Sequence, residues 1–388
     1  MKRLLLPALL LTTLTACTAA PADTLPAAAP TPTPTSTPAP TAAPAPADAL
    51  TLEEKIGQLF IIRPDALDLT LPQETINDAK ADGVTMLTDA MRETLQAYPV
   101  GGICQFGKNI TDPEQLAQFN ADLQAASRTP LFIAVDEEGG AVARLANHPA
   151  FDLPQYESAA AVGASGDPAD ACAMGQTIGA YLKEYGFNMD FAPDADVNTN
   201  PDNPIIGTRA FSSDAAEMAA AAADGLRTSG ILPTLKHFPG HGDTAEDSHT
   251  ALAVTYKTLD ELQACELLPF AADTGLHAVM VGHIAAPNVT GDGTPATLSP
   301  QLVALIPDAE NTLIVTDSLA MDAITAAYTP GEAAVQALQA GCDVLLMPNS
   351  LPEAYAAVLE AVQNGTISEE RLDRSVNKIL LYKQQFAS

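Results

Sequence analysis

ILPTLKHFPGHGDTAEDSH, residues 231–249, couples a short apolar run to the densest cluster of ionisable residues in the chain. Ile231 to Leu235 is too brief for a helix and has the character of a buried strand. The fourteen residues that follow hold His237, His241 and His249, the acids Asp243, Glu246 and Asp247, and Lys236. Gly240 and Gly242 open backbone conformations closed to other residues. The cluster is therefore expected where a strand ends and a loop begins, and that boundary decides the fold because it recurs.

Eight apolar runs of this kind occur between amphipathic stretches: Leu59 to Ile62, Val100 to Phe106, Leu131 to Val135, Phe187 to Phe191, Ile231 to Leu235, Ala278 to His283, Thr312 to Thr316 and Asp343 to Met347. Alternation of strand and helix is the pattern of a parallel α/β fold, and eight strands are what a closed (β/α)₈ TIM barrel requires. A doubly wound sheet alternates too, but the first strand has no Gly-rich phosphate loop. Helix starts are marked by Thr51 with Glu54, Thr258 with Glu261, Asp112-Pro113 and Asp167-Pro168, and stops by Gly186, Gly230, Gly341 and Gly365. Leu116, Phe119 and Leu123 repeat at helical spacing, as do Leu372, Val376 and Ile379. One insertion shows, between Arg63 and Pro99.

In such barrels chemistry gathers at the carboxyl ends of the strands. Asp136-Glu137-Glu138-Gly139-Gly140 follows the third run, Asp190 and Asp196 flank the end of the fourth, Lys236-His237 follows the fifth, and His283 and Asp317 close the sixth and seventh. Asp317, in TLIVTDSLAM, reads either as a rigid nucleophilic carboxylate at the barrel mouth or as the N-cap of a helix over Ser318 to Ala327. In Asp247-Ser248-His249 the carboxylate can orient the imidazole and raise its pKa, making a proton-transfer dyad. The three histidines with Asp243 and Asp247 also suit a zinc site, although no HExxH or comparable spacing is present.

Composition limits the partners. The formal charge is 18 minus 48, or −30, so a polyanion such as nucleic acid is repelled. Lys2 and Arg3, an apolar run and Leu14-Thr15-Ala16-Cys17 follow the order of a secretory signal. The last four residues resemble the bacterial lipobox, which implies cleavage before Cys17 and a lipid on its thiol. The expected organisation is a signal peptide over 1–16, an Ala/Pro/Thr-rich tether over 17–50 too polar and proline-rich to form a core, and a single catalytic domain over 51–388. The protein is then extracytoplasmic, membrane-bound only through its lipid, and expected to be a monomer. Cys104, Cys172, Cys265 and Cys342 have no metal spacing, and the apolar neighbours of Cys104 and Cys342 favour buried free thiols over a disulfide.

KHFPGHGDTAEDSH closely resembles the signature loop of bacterial β-N-acetylglucosaminidases of glycoside hydrolase family 3. So do DEEGGAVAR (136–144), FAPDADVNTNPDNPIIGTRAF (191–211) and TDSLAM from Thr316, in the same order. The resemblance implies a (β/α)₈ barrel that hydrolyses terminal β-linked N-acetylglucosamine from cell-wall or chitin-type saccharides with retention. It implies Asp317 as nucleophile, His249 as acid/base with Asp247 as its partner, and Asp136, Arg144, Arg209, Lys236 and His237 as the sugar-binding shell, with no metal and no cofactor. Relatives with a second domain take a glutamate acid/base from it, whereas here the barrel's own dyad is expected to serve. Glu137, where the family usually has Gln, and Asp194, where an apolar residue is more typical, depart from the pattern. A neutral imidazole base also suggests phosphate as an alternative acceptor. A family 3 enzyme of other sugar specificity, a metal-dependent hydrolase and a non-catalytic sugar-binding lipoprotein remain as rivals.

Overall fold

The structure, a computed structural model, describes residues 46–211, 215–246 and 251–387. Eight strands form one parallel sheet: β1 (Phe60–Ile62), β2 (Gly102–Cys104), β3 (Phe132–Val135), β4 (Met189–Asp190), β5 (Leu232–Phe238), β6 (Ala278–Val281), β7 (Leu313–Thr316) and β8 (Leu345–Leu346). Each pairs with its neighbour in chain order, and β8 returns to β1 through Phe60 opposite Leu345 and Ile61 opposite Leu346. The last gap is closed by a parallel bridge from Val315 to Val344, with the Thr316 amide donating to the Val344 carbonyl at 3.0 Å. The sheet is therefore a closed barrel and the expected (β/α)₈ architecture is what forms.

All eight expected runs contain a strand, and the fifth is longer than expected. β5 continues through Lys236 and His237 to Phe238, so these residues lie inside the strand rather than after it. Successive residues of a regular strand face opposite sides. A register shift between Leu235 and Phe238 breaks that alternation, and both Lys236 and His237 come to line the barrel mouth.

Around the sheet lie α1 (Leu52–Gln58), α2 (Asp89–Ala97), α3 (Pro113–Ala126), α4 (Pro168–Glu184), α5 (Ala216–Thr228), α6 (Leu259–Ala264), α7 (Pro330–Ala340), α8 (Leu351–Gln363) and α9 (Glu369–Phe386), with shorter turns between them. Thr51 with Glu54 and Thr258 with Glu261 form complete capping boxes, and the Asp112 and Asp167 carboxylates cap α3 and α4. Each such cap contributes about 0.5–2 kcal/mol relative to alanine. The Arg63–Pro99 segment is not one loop, since its second half is α2, the helix owed between β1 and β2. Lys108 fixes its first half by donating to the carbonyls of Thr75, Ile76 and Asp78 at 2.9–3.1 Å. Cys104 and Cys342 are buried and all four described cysteines are free thiols. Among the described residues no helix is long and apolar enough to cross a membrane.

α9 closes the amino-terminal end of the barrel. Tyr382 donates to the carbonyls of His277 and Asn311, just ahead of β6 and β7, and Lys378 donates to the Thr312 carbonyl and to Asp343. Lys383 reaches the Gln58 side chain at 2.6 Å and sits 5.3 Å from the centre of the Phe132 ring, and no carboxylate of the described residues pairs with it. Burial pulls its pKa down to about 7, against about 10.4 in an unfolded chain. Between those values the unfolded state binds the extra proton, so stability rises with pH by up to about 1.4 kcal/mol per unit. Lys383→Met is expected to remove this rise. Urea midpoints of both proteins at pH 7.5, 8.5 and 9.5 measure it, and parallel curves would show that Lys383 is not the group responsible.

Candidate active site

Asp136 leaves β3, and the chain turns at once into a two-stranded hairpin, Glu137–Gly139 with Val142–Ala143, that carries Glu138 and delivers Arg144. Arg209 ends a single turn, Gly207–Arg209, between β4 and β5. Asp317 follows β7, with its amide donating to the Val281 carbonyl at 2.9 Å. Asp136, Arg144, Arg209, Lys236, His237 and Asp317 all line one cavity of about 520 Å³ at the carboxyl ends of the strands.

A carboxylate that sequence reasoning did not single out holds this wall together. Glu138 accepts from Arg209 Nε and Nη2, both at 2.8 Å, and lies 2.6 Å from Lys236 Nζ. Lys236 also donates to Asp136 at 2.8 Å, and Arg144 approaches Asp136 at 3.6 Å. Burial opposes the ionisation of both acids, but Lys236 with Arg209 holds Glu138, and Lys236 with Arg144 holds Asp136, below the usual carboxylate range. The same pairs raise Lys236 and Arg209 above their ordinary values in spite of burial. These side chains are therefore fixed charges, set before any ligand arrives. A signal for Glu138 was present: in an extended segment residues 136 and 138 fall on one face.

Asp196 organises the layer beneath. One of its oxygens accepts from His237 Nδ1 at 2.7 Å and from the His237 amide at 3.2 Å, and the other accepts from the His241 amide at 2.5 Å. With Nδ1 turned to the carboxylate, His237 presents Nε2 toward Arg209, 3.5 Å from Nη2. Burial works against the charge on Asp196, and the two imidazoles outweigh it and keep the carboxyl ionised. Asp194 goes the other way: burial and then the neighbouring Asp196 charge push its pKa well up. His241 lines the cavity with Nδ1 on the Thr244 hydroxyl, and burial and His237 lower its pKa toward the neutral form. Glu137 faces inward, accepting from the Leu145 and Ala146 amides and the Tyr181 hydroxyl, which makes this departure from the family pattern a buried brace for the hairpin.

No helix starts at Ser318. The next one, Asp322–Thr325, is capped by Met321, so Asp317 has no helix to cap and that alternative fails. The Asp317 carboxylate accepts from the Ser318 amide at 2.7 Å, and His283 braces the same backbone from below, Nε2 meeting the Ser318 carbonyl at 2.8 Å and Nδ1 the Thr297 hydroxyl at 2.7 Å. His283 thus supports Asp317 without lining the cavity.

The signature loop is held at its base. Asn203 donates to the His241 and Thr244 carbonyls, and Gly242 passes so near Val197 that a Cβ would lie 2.0 Å from its carbonyl oxygen. Asp243, proposed above as a metal ligand, is instead engaged by Thr255 at 2.8 Å and Lys257 at 3.6 Å. Asp194, Asp196 and His237 offer ligand atoms within 4.8 Å of one another, but the Arg209 guanidinium, 3.4 Å from Asp194 Oδ2, already supplies the positive charge there. Asp247, His249 and Cys17 lie outside the described residues.

Residues 51–381 match the model of the glycosyl hydrolase family 3 N-terminal domain. The chain belongs to glycosyl hydrolase family 3. Among family 3 relatives, Beta-hexosaminidase A of Pseudoalteromonas piscicida is 32% identical over 335 residues, 77% of this chain and 56% of that protein. Beta-hexosaminidase LpqI of Mycobacterium tuberculosis (strain ATCC 25618 / H37Rv) is 32% identical over 347 residues, covering 81% of this chain and 83% of its own. The solved family 3 β-N-acetylglucosaminidase of Paenibacillus sp. str. FPU-7 superposes with a TM-score of 0.77 at 38% identity, over 87% of this chain and 63% of that one. The family 3 chain here therefore spans little more than half of the Pseudoalteromonas protein.

Proposed function

We propose that the protein is a retaining, exo-acting β-N-acetylglucosaminidase that removes terminal β-linked N-acetylglucosamine from cell-wall or chitin-type saccharides. The observation that carries this reading is the convergence of Asp136, Arg144, Arg209, Lys236 and His237 on the cavity that Asp317 lines. The names of the similar hexosaminidases support it. Fixed charges and the oriented His237 imidazole grip hydroxyls and the N-acetyl group. The Asp317 carboxylate attacks the anomeric carbon and the bond to the leaving oxygen breaks. His249, protonated and oriented by Asp247, gives that oxygen its proton. Water then attacks the glycosyl ester, His249 takes the proton of the water, and Asp317 is released. A histidine in this role titrates near neutral pH, where a lone carboxylic acid is already ionised.

The same reading makes 1–16 a signal peptide and 17–50 a tether lipidated at Cys17, and sets a monomeric 51–388 domain outside the membrane with saccharide, not nucleic acid, as its partner. The test is turnover of an aryl β-N-acetylglucosaminide, with proton NMR of the first-formed sugar. The β-anomer should appear first, chelator should change nothing, and His249→Ala should lower kcat by about 10²- to 10⁴-fold. Release of the α-anomer first would refute retention, loss of activity to chelator would favour a metal-dependent hydrolase, and sugar binding without turnover would leave a binding protein. Hexosamine 1-phosphate in phosphate buffer would mark phosphate as the acceptor.

A further inference from the structure

The cavity wall formed by β1, β2 and the hairpin after β3 carries an excess of positive charge. Five of the chain's 18 lysines and arginines line the cavity, Arg63, Lys108, Arg144, Arg209 and Lys236, against three carboxylates, Asp136, Glu138 and Asp317, in a chain of net charge −30. Arg209 and Lys236 are taken up by Glu138 and Asp136, and Lys108 lies 3.5 Å from Asp65. Arg144 approaches Asp136 at 3.6 Å, which leaves Arg63.

Arg63 immediately follows β1, half-buried, and its guanidinium donates to a neutral acceptor, Asn77 Oδ1, at 2.7 Å. No carboxylate of the described residues comes within 4.0 Å of it. Burial works against its charge and lowers its pKa from the usual value. Its Cζ stands 4.9 Å from the centre of the Phe106 ring, and Arg144 Cζ stands 5.8 Å from the same ring. Arg144, its side chain 34% exposed, approaches Asp136 at 3.6 Å, and its Nε has no hydrogen-bond acceptor among the described residues. Buried charges are ordinarily paired, and a guanidinium is shaped to take both oxygens of a carboxylate or phosphate. Both guanidinium groups stand against one aromatic ring in a ligand cavity, a setting suited to an anion.

We infer that Arg63, Phe106 and Arg144 form a subsite for an acidic group, a carboxylate or a phosphate ester, carried by the saccharide; this rests on the reading of the cavity as a saccharide site. Around the closed barrel β1, which delivers Arg63, lies two strands from β7, and β2, which precedes Phe106, lies three, so the subsite occupies the β1–β3 side of the mouth.

Calorimetric titration with four probes tests this without turnover: N-acetylglucosamine, N-acetylmuramic acid, N-acetylglucosamine 6-phosphate and inorganic phosphate. In the wild type at least one acidic sugar should bind about 10- to 100-fold more tightly than N-acetylglucosamine, the range of one charge-assisted contact. The favoured probe tells carboxylate from phosphate. Arg63→Gln should bring that ratio close to one, and Arg63→Lys, which retains the charge and checks folding, should retain part of it. A wild-type ratio near one, or a ratio that survives Arg63→Gln, overturns the subsite. If no sugar binds at all, the saccharide reading fails, and inorganic phosphate then decides separately: binding lost in Arg63→Gln upholds the anion site, and no binding removes it.

Discussion

Asp317→Asn is expected to lower kcat on an aryl β-N-acetylglucosaminide by about 10³-fold or more, as loss of a catalytic nucleophile does elsewhere. The amide has the size of the carboxylate and keeps an oxygen for the Ser318 amide, now at 2.7 Å, so the turn after β7 should persist. What it lacks is the electron pair that attacks the anomeric carbon. The Asp136, Lys236, Arg209 and His237 contacts are untouched, so KM should move little while kcat collapses. Activity within tenfold of wild type would remove Asp317 from the chemistry and the covalent route with it.

Glu138→Gln should do comparable damage by a different path. Glu138 is the shared counter-charge of Arg209 and Lys236, and a neutral amide leaves the two buried cations with Asp136 and with Asp194, whose ionisation burial and Asp196 oppose. Breaking a buried pair in this way costs about 3–5 kcal/mol. Arg209 and Lys236 also lose the positions from which they would grip the sugar, so kcat/KM should fall about 10²-fold. The acid sensitivity carries a distinct signature. Because the folded carboxyl titrates below an unfolded glutamate, near 4.3, its stabilisation is complete above that value and is lost as pH falls through the depressed one. The wild type should therefore lose stability on acidification below about pH 5 more steeply than Glu138→Gln. A variant as stable as wild type at pH 7 would mean that Glu138 is replaceable in the network.

The fold was legible because each strand is announced twice, by an apolar run and by the polar residue that ends it. LIVTD shows both for β7, and Asp317 lies where that pairing puts it. β5 misled because its register shift turns two polar neighbours inward, which no period-two pattern encodes. Asp136, Arg144, Arg209, Lys236 and His237 were found from motifs. Glu138, the shared partner of Arg209 and Lys236, was overlooked, although its place two residues after Asp136 foretold it. Asp196 is harder to read, since its meaning comes from His237 and His241, 41 and 45 residues later on another strand. Arg63 was hidden altogether, because what gives it a role is the Phe106 ring just beyond the adjoining strand and a neutral hydrogen-bond partner in Asn77, and a list of residues records neither.

The contrast between a cationic cavity wall and a chain of net charge −30 acts over two different distances. At low ionic strength an acidic ligand is repelled by the whole molecule well before it reaches the mouth. Near 0.15 M salt that repulsion fades beyond about 8 Å, whereas contacts inside a partly dry cavity are screened far less. Salt thus quickens the approach of an acidic saccharide more than it loosens its grip, while a neutral one feels neither effect. The ratio at which the two are taken up is then set partly by the medium and not by the protein alone.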